Sequence, residues 1–386
     1  MLIRKSLLAA AIALPVISHA ETYDARTFAR GGTGLTMGEY NQSLLNPALI
    51  NKFDDNDDFS FGLNVGALVD DQQGFVDAAE EIRDDIRGLA GTSDLSKAAE
   101  INQRMQSYDK ATGEIDVGAS ILVAIPNKTL PLAVMARSKV RVGIKYAYDA
   151  ADAAVLNDIA NGVPGVTDED LQSIAYTSGV GLTEAGLVIG HSFGKLETGA
   201  TVKVQQIDLF EYSANVATFD EDDATEDDRS VSETAFNVDL GANLRLGDEG
   251  QFVIAGVVEN LIPKSFTGPV PQLGGAAAEY EMKPVVTVGA GYGNSIVKLE
   301  VNADLTARSG FDKLEESQFL RAGVELSAGR HFHLRAGYRT DTKDTLSDLV
   351  TAGIGITPFD RFNIDLSAAK GKGETLGAAL QIGFKI

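Results

Sequence analysis

ETAFNVDLGANLRL, residues 233 to 246, sorts its side chains with a period of two. Phe236, Val238, Leu240, Ala242, Leu244 and Leu246 fall on one face, and Asn237, Asp239, Gly241, Asn243 and Arg245 on the other. Successive side chains of a strand point to opposite faces, so this spacing predicts a strand with one apolar and one wet surface. The same division recurs in 295–305, with Val297, Leu299, Val301, Ala303 and Leu305 set against Lys298, Glu300, Asn302 and Asp304, and again in 376–386. A soluble sandwich shows this alternation too, and the connections distinguish the two cases.

Strands read at 58–68, 113–125, 130–148, 172–193, 196–210, 233–246, 251–260, 279–291, 295–305, 317–327, 331–339, 349–357, 361–369 and 376–386 make fourteen. Tight turns, such as Pro126 to Thr129, Gly194-Lys195, Gly247 to Gly250 and Ala328 to Arg330, alternate with longer polar connections. Outer-membrane barrels are built in this way, with short periplasmic turns and long outer loops. The count requires 130–148 and 172–193 to be single strands; Gly179, Gly181 and Gly186 could divide the second, and a division of either gives sixteen.

Composition agrees. There is no run after Ile17 long enough for a spanning helix. Arg4 and Lys5, the apolar stretch Leu7 to Ile17 and the small residues Ser18 and Ala20 read as a secretory leader, residues 1–20, cleaved near Ala20. The chain carries a formal charge of −22, which argues against nucleic acid as a partner. It has no cysteine, which excludes thiol and disulfide chemistry and cysteine metal sites. A helical insert is expected over about 75–108, on the stripe Phe75, Ala79, Ile82, Ile86, Leu89 and a second helix at 95–108, with a third at 150–161. The acidic loop at about 211–232, with DEDDATEDD at 220–228, lacks the spacing of a calcium loop and reads as solvated.

Few residues suggest chemistry. After the leader the histidines are His191, His331 and His333, with no third ligand nearby and no nucleophile-elbow signature, so neither a metal, another cofactor nor an enzyme is expected. The wet faces place Arg137, Lys139, Arg141 and Lys145 inside the barrel, with Arg321 and Arg335, among acids such as Asp116, Asp239, Glu300, Glu325 and Asp365. The plain reading is a lumen of ion pairs; the sharper one is a basic row that receives the anionic head of a ligand.

Ahead of the strands lies ARGGTGLTMGEYNQSLLNPALI, residues 29–50. It has no GxGxxG spacing and no preceding strand, so it is not a dinucleotide loop. A leader, then A-R-G-G-T-G, then Asn46-Pro47-Ala48, then a glycine-rich series of strands resembles the FadL superfamily of outer-membrane hydrophobic-compound transporters, which includes barrel proteins labelled conjugal transfer protein TraF. The resemblance implies an all-β, 14-stranded antiparallel transmembrane barrel (58–386) in the cell outer membrane. It also implies an N-terminal hatch (21–57) containing Gly31, Gly32, Gly34, Asn46, Pro47 and Ala48. It implies a hydrophobic or amphipathic small molecule such as a long-chain fatty acid as ligand, membrane lipids as surroundings, and a sideways path beside a kinked third strand. The alternative is a non-catalytic envelope component of a conjugation or secretion apparatus that binds envelope proteins through its loops. The chain departs from the barrel pattern in ending Phe384-Lys385-Ile386 rather than in an aromatic residue.

Overall fold

The computed structural model describes residues 24–54, 56–219 and 229–386. The expected leader and the residues 220–228 of the acidic loop lie outside them. Fourteen strands close into one antiparallel barrel. In chain order they are β1 Ser60–Asp70, β2 Thr112–Ile125, β3 Leu132–Ala147, β4 Ile174–Phe193, β5 Leu196–Asn215, β6 Ser230–Leu246, β7 Phe252–Glu259, β10 Val285–Gly293, β11 Val297–Asp304, β12 Phe319–Ala328, β13 Phe332–Asp341, β14 Leu349–Ile356, β15 Phe362–Lys370 and β16 Leu376–Lys385. Closure pairs β1 with β16, from Ser60 with Lys385 to Val69 with Leu376, so no edge is left at the seam.

One expected strand divides. Residues 279–291 break at Lys283-Pro284, where proline supplies no N–H to a ladder and disfavours continuation. The first part, β9 Glu279–Met282, leaves the wall and pairs with β8 Lys264–Thr267 in a separate hairpin. Two other expectations change in detail. β5 extends to Asn215 and β6 starts at Ser230, so the acidic connection spans 216–229. β4 stays whole despite its glycines, because the Phe210 ring of β5 lies over Gly179 and fills the space of the missing side chain. The pairing of β3 also runs without interruption, from Leu132 with Ile189 to Ala147 with Ile174 on one side and from Thr112 with Lys145 to Ile125 with Leu132 on the other. The sideways gap at the third strand, implied by the resemblance, is therefore not present.

The two faces sort as the alternation predicts. Phe236, Leu240, Leu299, Val301, Ile354 and Leu366 stand exposed on the outer surface, while Asn237, Asp239, Glu300, Arg335 and Asp365 are buried inside. A belt of outward apolar side chains belongs in hydrocarbon. With no tryptophan, its rim at the short-turn end is phenylalanine: Phe193, Phe252, Phe332 and Phe362.

The wall is uneven in height. On β5 the outward apolar run ends at Val204, and Gln206 and Asp208 follow, so the outer half of β3–β6 projects beyond the belt. Helices α2 Phe75–Arg87, α3 Leu95–Ser107 and α4 Asp152–Ala160 pack on the outside of this projection. Ile82, Ile86, Ile101, Met105 and Leu156 form a core with the outward Ile144 and Tyr146 of β3, and Phe75 stacks on Tyr146 at 5.0 Å. Asp71 fixes the start of α2 by accepting from the N–H groups of Phe75 and Val76 at 2.9 and 3.0 Å. On the inner side, Phe266, Tyr280 and Met282 of the hairpin and Phe311 and Leu314 of the loop after β11 close over Val180, Leu182, Ile207 and Leu209. Thus the outer mouth is roofed from within by an apolar cluster.

The belt assignment gives a direct expectation. Val301→Arg, on the outward face near the middle of β11, should destabilise the barrel by roughly 2–4 kcal/mol in lipid vesicles, as charge at the midplane does. Reversible denaturant unfolding in those vesicles reads the cost, and a change near zero would mean that this face does not meet hydrocarbon.

Candidate functional site: a lumen crossed by the N-terminal segment

A segment without a long helix or any strand carries N–H and C=O groups that need partners when it is buried. Residues 24–53 lie inside the barrel and are buried almost throughout. Their only α-helix, α1 Ala25–Ala29, starts at Asp24, whose carboxylate accepts from the Thr27 N–H at 2.8 Å. After it the chain turns at Gly31 and Gly32, with φ of 69° and 88°, a conformation that favours glycine. The wall then supplies what the segment lacks. Glu300 of β11 accepts from three successive donors, Gly34 N–H at 3.0 Å, Thr36 N–H at 2.9 Å and Met37 N–H at 3.2 Å. Thr351 of β14 accepts from Gly31 N–H and donates to the Ala29 carbonyl, both at 2.9 Å.

The Asn-Pro-Ala turn is built in the same way. Asn46 Oδ1 accepts from Ala48 N–H at 3.0 Å, which caps a 3₁₀ turn over Pro47–Asn51 with proline at its first position. Its Nδ2 donates to Leu35 carbonyl at 2.9 Å and to Asn243 Oδ1 of β6 at 2.7 Å. One side chain therefore joins the turn, the rest of the segment and the wall.

Close approach completes the fit. Inward glycines stand where the segment touches the wall: Gly337 and Gly323 against the Arg30 backbone, Gly291 against Thr36, Gly241 against Asn46, and Gly199 against the Pro47 carbonyl. A Cβ at any of these would overlap the segment, most often its backbone. The sequence carried this signal, since these glycines occupy inward positions of their strands, but alternation does not say what presses against them.

Charges tie the same parts together. Arg26 donates through Nε to Asp365 of β15 and through Nη1 to Glu39, each at 2.8 Å. Arg335 bridges Asp365 and Glu325 at 2.6 Å each, and Lys298 reaches Glu325 at 2.9 Å. Arg26 holds the half-exposed Glu39 carboxyl below the ordinary carboxylate range, at about 2. Burial pulls the Lys52 ammonium down to about 8, while its Nζ donates to the Thr36 carbonyl.

The inward basic row faces the lumen, and the charges of Arg137, Lys139 and Arg141 are met. Arg137 pairs with Glu184 and donates to the Leu44 carbonyl at 3.3 Å; Lys139 pairs with Asp116, and Arg141 with Glu114 at 2.9 Å. Arg321 pairs with Asp304 at 2.8 Å. Lys145, at the outer end of β3, has no carboxylate within ion-pair distance among the described residues. The lumen is thus a lattice of neutralised pairs. Arg26 and Arg308, which pair with Asp365 and Asp304 at 2.8 and 3.2 Å, belong to it as well, and Arg339 lies over the Phe319 ring at 4.5 Å.

The histidines do not meet. His331 faces the Thr357 carbonyl at 3.0 Å, and His333 faces Ser327 Oγ at 2.9 Å. Glu325 lies 3.9 Å from His333, but on the same ring nitrogen that faces Ser327, whereas a Ser-His-acid triad uses opposite nitrogens. Among the described residues no group of three or more metal-binding side chains forms.

Space in the lumen divides at the segment. On the outer side, a cavity of about 70 Å³ touches Leu68, Asp116, Tyr280, Met282 and Phe319. It shares Glu259, Arg308 and Arg339 with a second cavity, of about 60 Å³, that lies against Phe28, Gly31 and Leu35. On the short-turn side, an open vestibule of about 640 Å³ reaches Met37, Glu39, Lys52 and Phe53.

Two measurements test this seating. Gly337→Val should expel the segment, seen as much faster tryptic cleavage after Arg26 or Arg30 in a barrel that still migrates as a folded species; unchanged protection would refute the close fit. The pH dependence has a definite sign. Because the docked Lys52 is easier to deprotonate, the undocked segment binds more protons between about pH 8 and the ordinary lysine value, so docking tightens as pH rises through that window. Protection from chymotrypsin should rise from pH 8 to 10, and Lys52→Met should flatten the rise.

Comparison with known proteins agrees with the geometry. No curated protein matches the chain in sequence. Solved structures match over almost their whole length at low identity: the toluene transporter TbuX of Ralstonia pickettii (TM-score 0.57, 10% identical, 95% of this chain and 99% of that one), a FadL homologue of Pseudomonas aeruginosa (0.54, 10%, 95% and 98%) and the toluene transporter TodX of Pseudomonas putida (0.51, 13%, 95% and 98%). These likenesses establish a shared barrel. The family described as the F plasmid transfer operon TraF protein matches residues 43–304, from the Asn-Pro-Ala turn through β11, more than half the chain. The protein therefore belongs to that TraF family, built on the barrel of the FadL-type transporters.

Proposed function

We propose that the chain is an outer-membrane channel for small hydrophobic or amphipathic molecules, closed at rest by residues 24–53 acting as its hatch. The observation that carries this reading is the division of the lumen, with two neighbouring cavities on the outer side of the segment and an open vestibule beyond it. The transporters with the same barrel include two named for toluene.

Size limits the ligand. A dry cavity of about 150 Å³ holds benzene, and the two outer cavities are about 70 and 60 Å³. Neither of these two cavities holds a long acyl chain at rest, and a single aromatic ring enters either of them only if the roof or the segment shifts. We assign the row Arg137, Lys139 and Arg141 to the wall, because each cation already has its carboxylate and an incoming anion would have to displace a buried partner.

Removal of residues 24–53 from the folded barrel should open it. In cells bearing the chain, uptake of labelled toluene should rise or lose saturation in the deletion form, and conductance in planar bilayers should change from closed to open. Equal uptake in cells with the chain, with the deletion and without either would end the transport reading. A second reading, an envelope assembly component, draws on the ordered helices of the 71–111 connection, which make a body outside the barrel. It requires that excision of 69–112 abolish co-purification with envelope proteins while the barrel still folds.

A further inference from the structure

We propose that the short-turn rim of the barrel carries a binding site for the headgroup of an anionic phospholipid, made by the β12–β13 and β14–β15 turns in the leaflet that those turns face. The site goes beyond the channel reading and does not depend on it. The two turns are bonded side by side. Thr357 N–H donates to the His331 carbonyl at 2.9 Å, and His331 Nδ1 faces the Thr357 carbonyl at 3.0 Å. Their tips stand two strand spacings apart, about 10 Å.

Each tip presents an arginine. Arg330 and Arg361 are exposed, and among the described residues neither has a carboxylate within ion-pair distance. Asp360, the acid between them, lies 3.7 Å from His331. Other cations at this end are engaged: Lys195 donates to the Gly247 carbonyl at 3.0 Å, Arg245 pairs with Glu197, and Lys385 reaches Asp57 at 3.2 Å. A guanidinium matches two oxygens of one phosphate. The whole chain carries −22, so an anionic lipid is attracted only where cations stand within a Debye length of it, about 10 Å.

The same turns are flanked by aromatic rings. Phe332 and Phe362, 62% and 47% exposed, end the belt here, and the Phe362 ring packs on Phe384 at 4.8 Å. Pro358 to Arg361 make a hairpin turn, closed by the Arg361 N–H on the Pro358 carbonyl at 3.4 Å, with Phe359 at φ 61° and Asp360 at φ 57°. Positive φ at both central residues suits the twist of a hairpin, but it favours asparagine and glycine, and a phenylalanine there is strained. Phe359 is also 83% exposed, more than any other large apolar residue among those described. Water returns nothing for a bare ring held in a strained turn. A phospholipid meets both needs, since the ring enters the interface beside the belt while the phosphate takes the arginines.

The test titrates the full-length protein in detergent micelles with phosphatidylglycerol and with phosphatidylcholine of the same acyl chains, and counts the adducts by native mass spectrometry. The first phosphatidylglycerol should bind about thirtyfold more tightly, the effect of two cations beside an anionic headgroup. Arg330→Gln with Arg361→Gln should bring the two lipids level. Phe359→Gly, which suits the left-handed backbone, should weaken the first phosphatidylglycerol adduct severalfold. Ammonium phosphate in excess over lipid should not displace that adduct. Heat-modifiable migration establishes that each variant is folded. Equal binding of both lipids to the unaltered chain, or a preference that survives the double substitution, would overturn the site. Displacement by free phosphate would overturn the lipid as its ligand, and full binding by the Phe359→Gly form would overturn the part of the ring.

Discussion

The structure depends on one constraint: a segment of about thirty residues, without regular ladders of its own, must satisfy its backbone inside a barrel. Buried N–H and C=O groups left alone cost more than most contacts return. The solution is for the wall to act as the segment's partner. Glu300 takes three consecutive donors, Thr351 serves a donor and an acceptor, and Asn243 meets Asn46. Each of these is an inward residue within a strand, so the registers of β6, β11 and β14 must be right for the segment to seat. A one-residue slip would turn Glu300 into the lipid and remove its three bonds together.

The same constraint explains the composition of the lumen. A carboxylate that receives backbone donors or an arginine keeps its charge at modest cost only if the arrangement is complete, since a half-paired charge in low dielectric is expensive. Arg26 joins the segment to Asp365, Asp365 holds Arg335, and Arg335 holds Glu325, which also holds Lys298. Loss of Arg26 would therefore leave Asp365 with a buried neighbour removed, and the disturbance would run along β12, β13 and β15 as well as through the segment. Other acids of the strongly negative chain lie outside the lumen, as Glu81 and Asp85 of α2 do, where they pair with Arg104 and water screens them.

What was legible in the sequence follows from what period two encodes. It tells which side of a sheet a residue faces, so the belt, the lumen side of Arg137 or Glu300 and the fourteen strands could be read directly. It does not tell which inward cation meets which inward acid, because that requires the register between strands, and so Arg137, Lys139 and Arg141 of β3 looked available when their charges were already met. Nor does it reveal a change of partner. Residues 279–282 alternate like the strand they precede, yet Pro284 separates them and their side chains join the roof with Phe266 and Phe311. The lumen glycines were visible as residues but silent as contacts, since the absence of a Cβ gains its meaning only from the backbone lying against it.

The uneven wall connects these features. A barrel whose strands all ended at the interface would have no inner surface on which to build a roof. Because β3–β6 overshoot the belt, their inward faces can carry Val180, Leu182, Ile207 and Leu209 above the ion pairs, and their outward faces can carry Ile144 and Tyr146 for the helices. The overshoot has a cost at its boundary. β7 is short and β6 is long, so β6 must lose a neighbour partway along its length, and Asn237 meets the resulting unpaired backbone with a side chain in place of a strand. Residues 260–264 carry the wall across the change of height by bonding in turn to Asp239, Val238, Asn237 and Thr234 of β6, and this bridge adjoins the apolar roof rather than the charged lattice below.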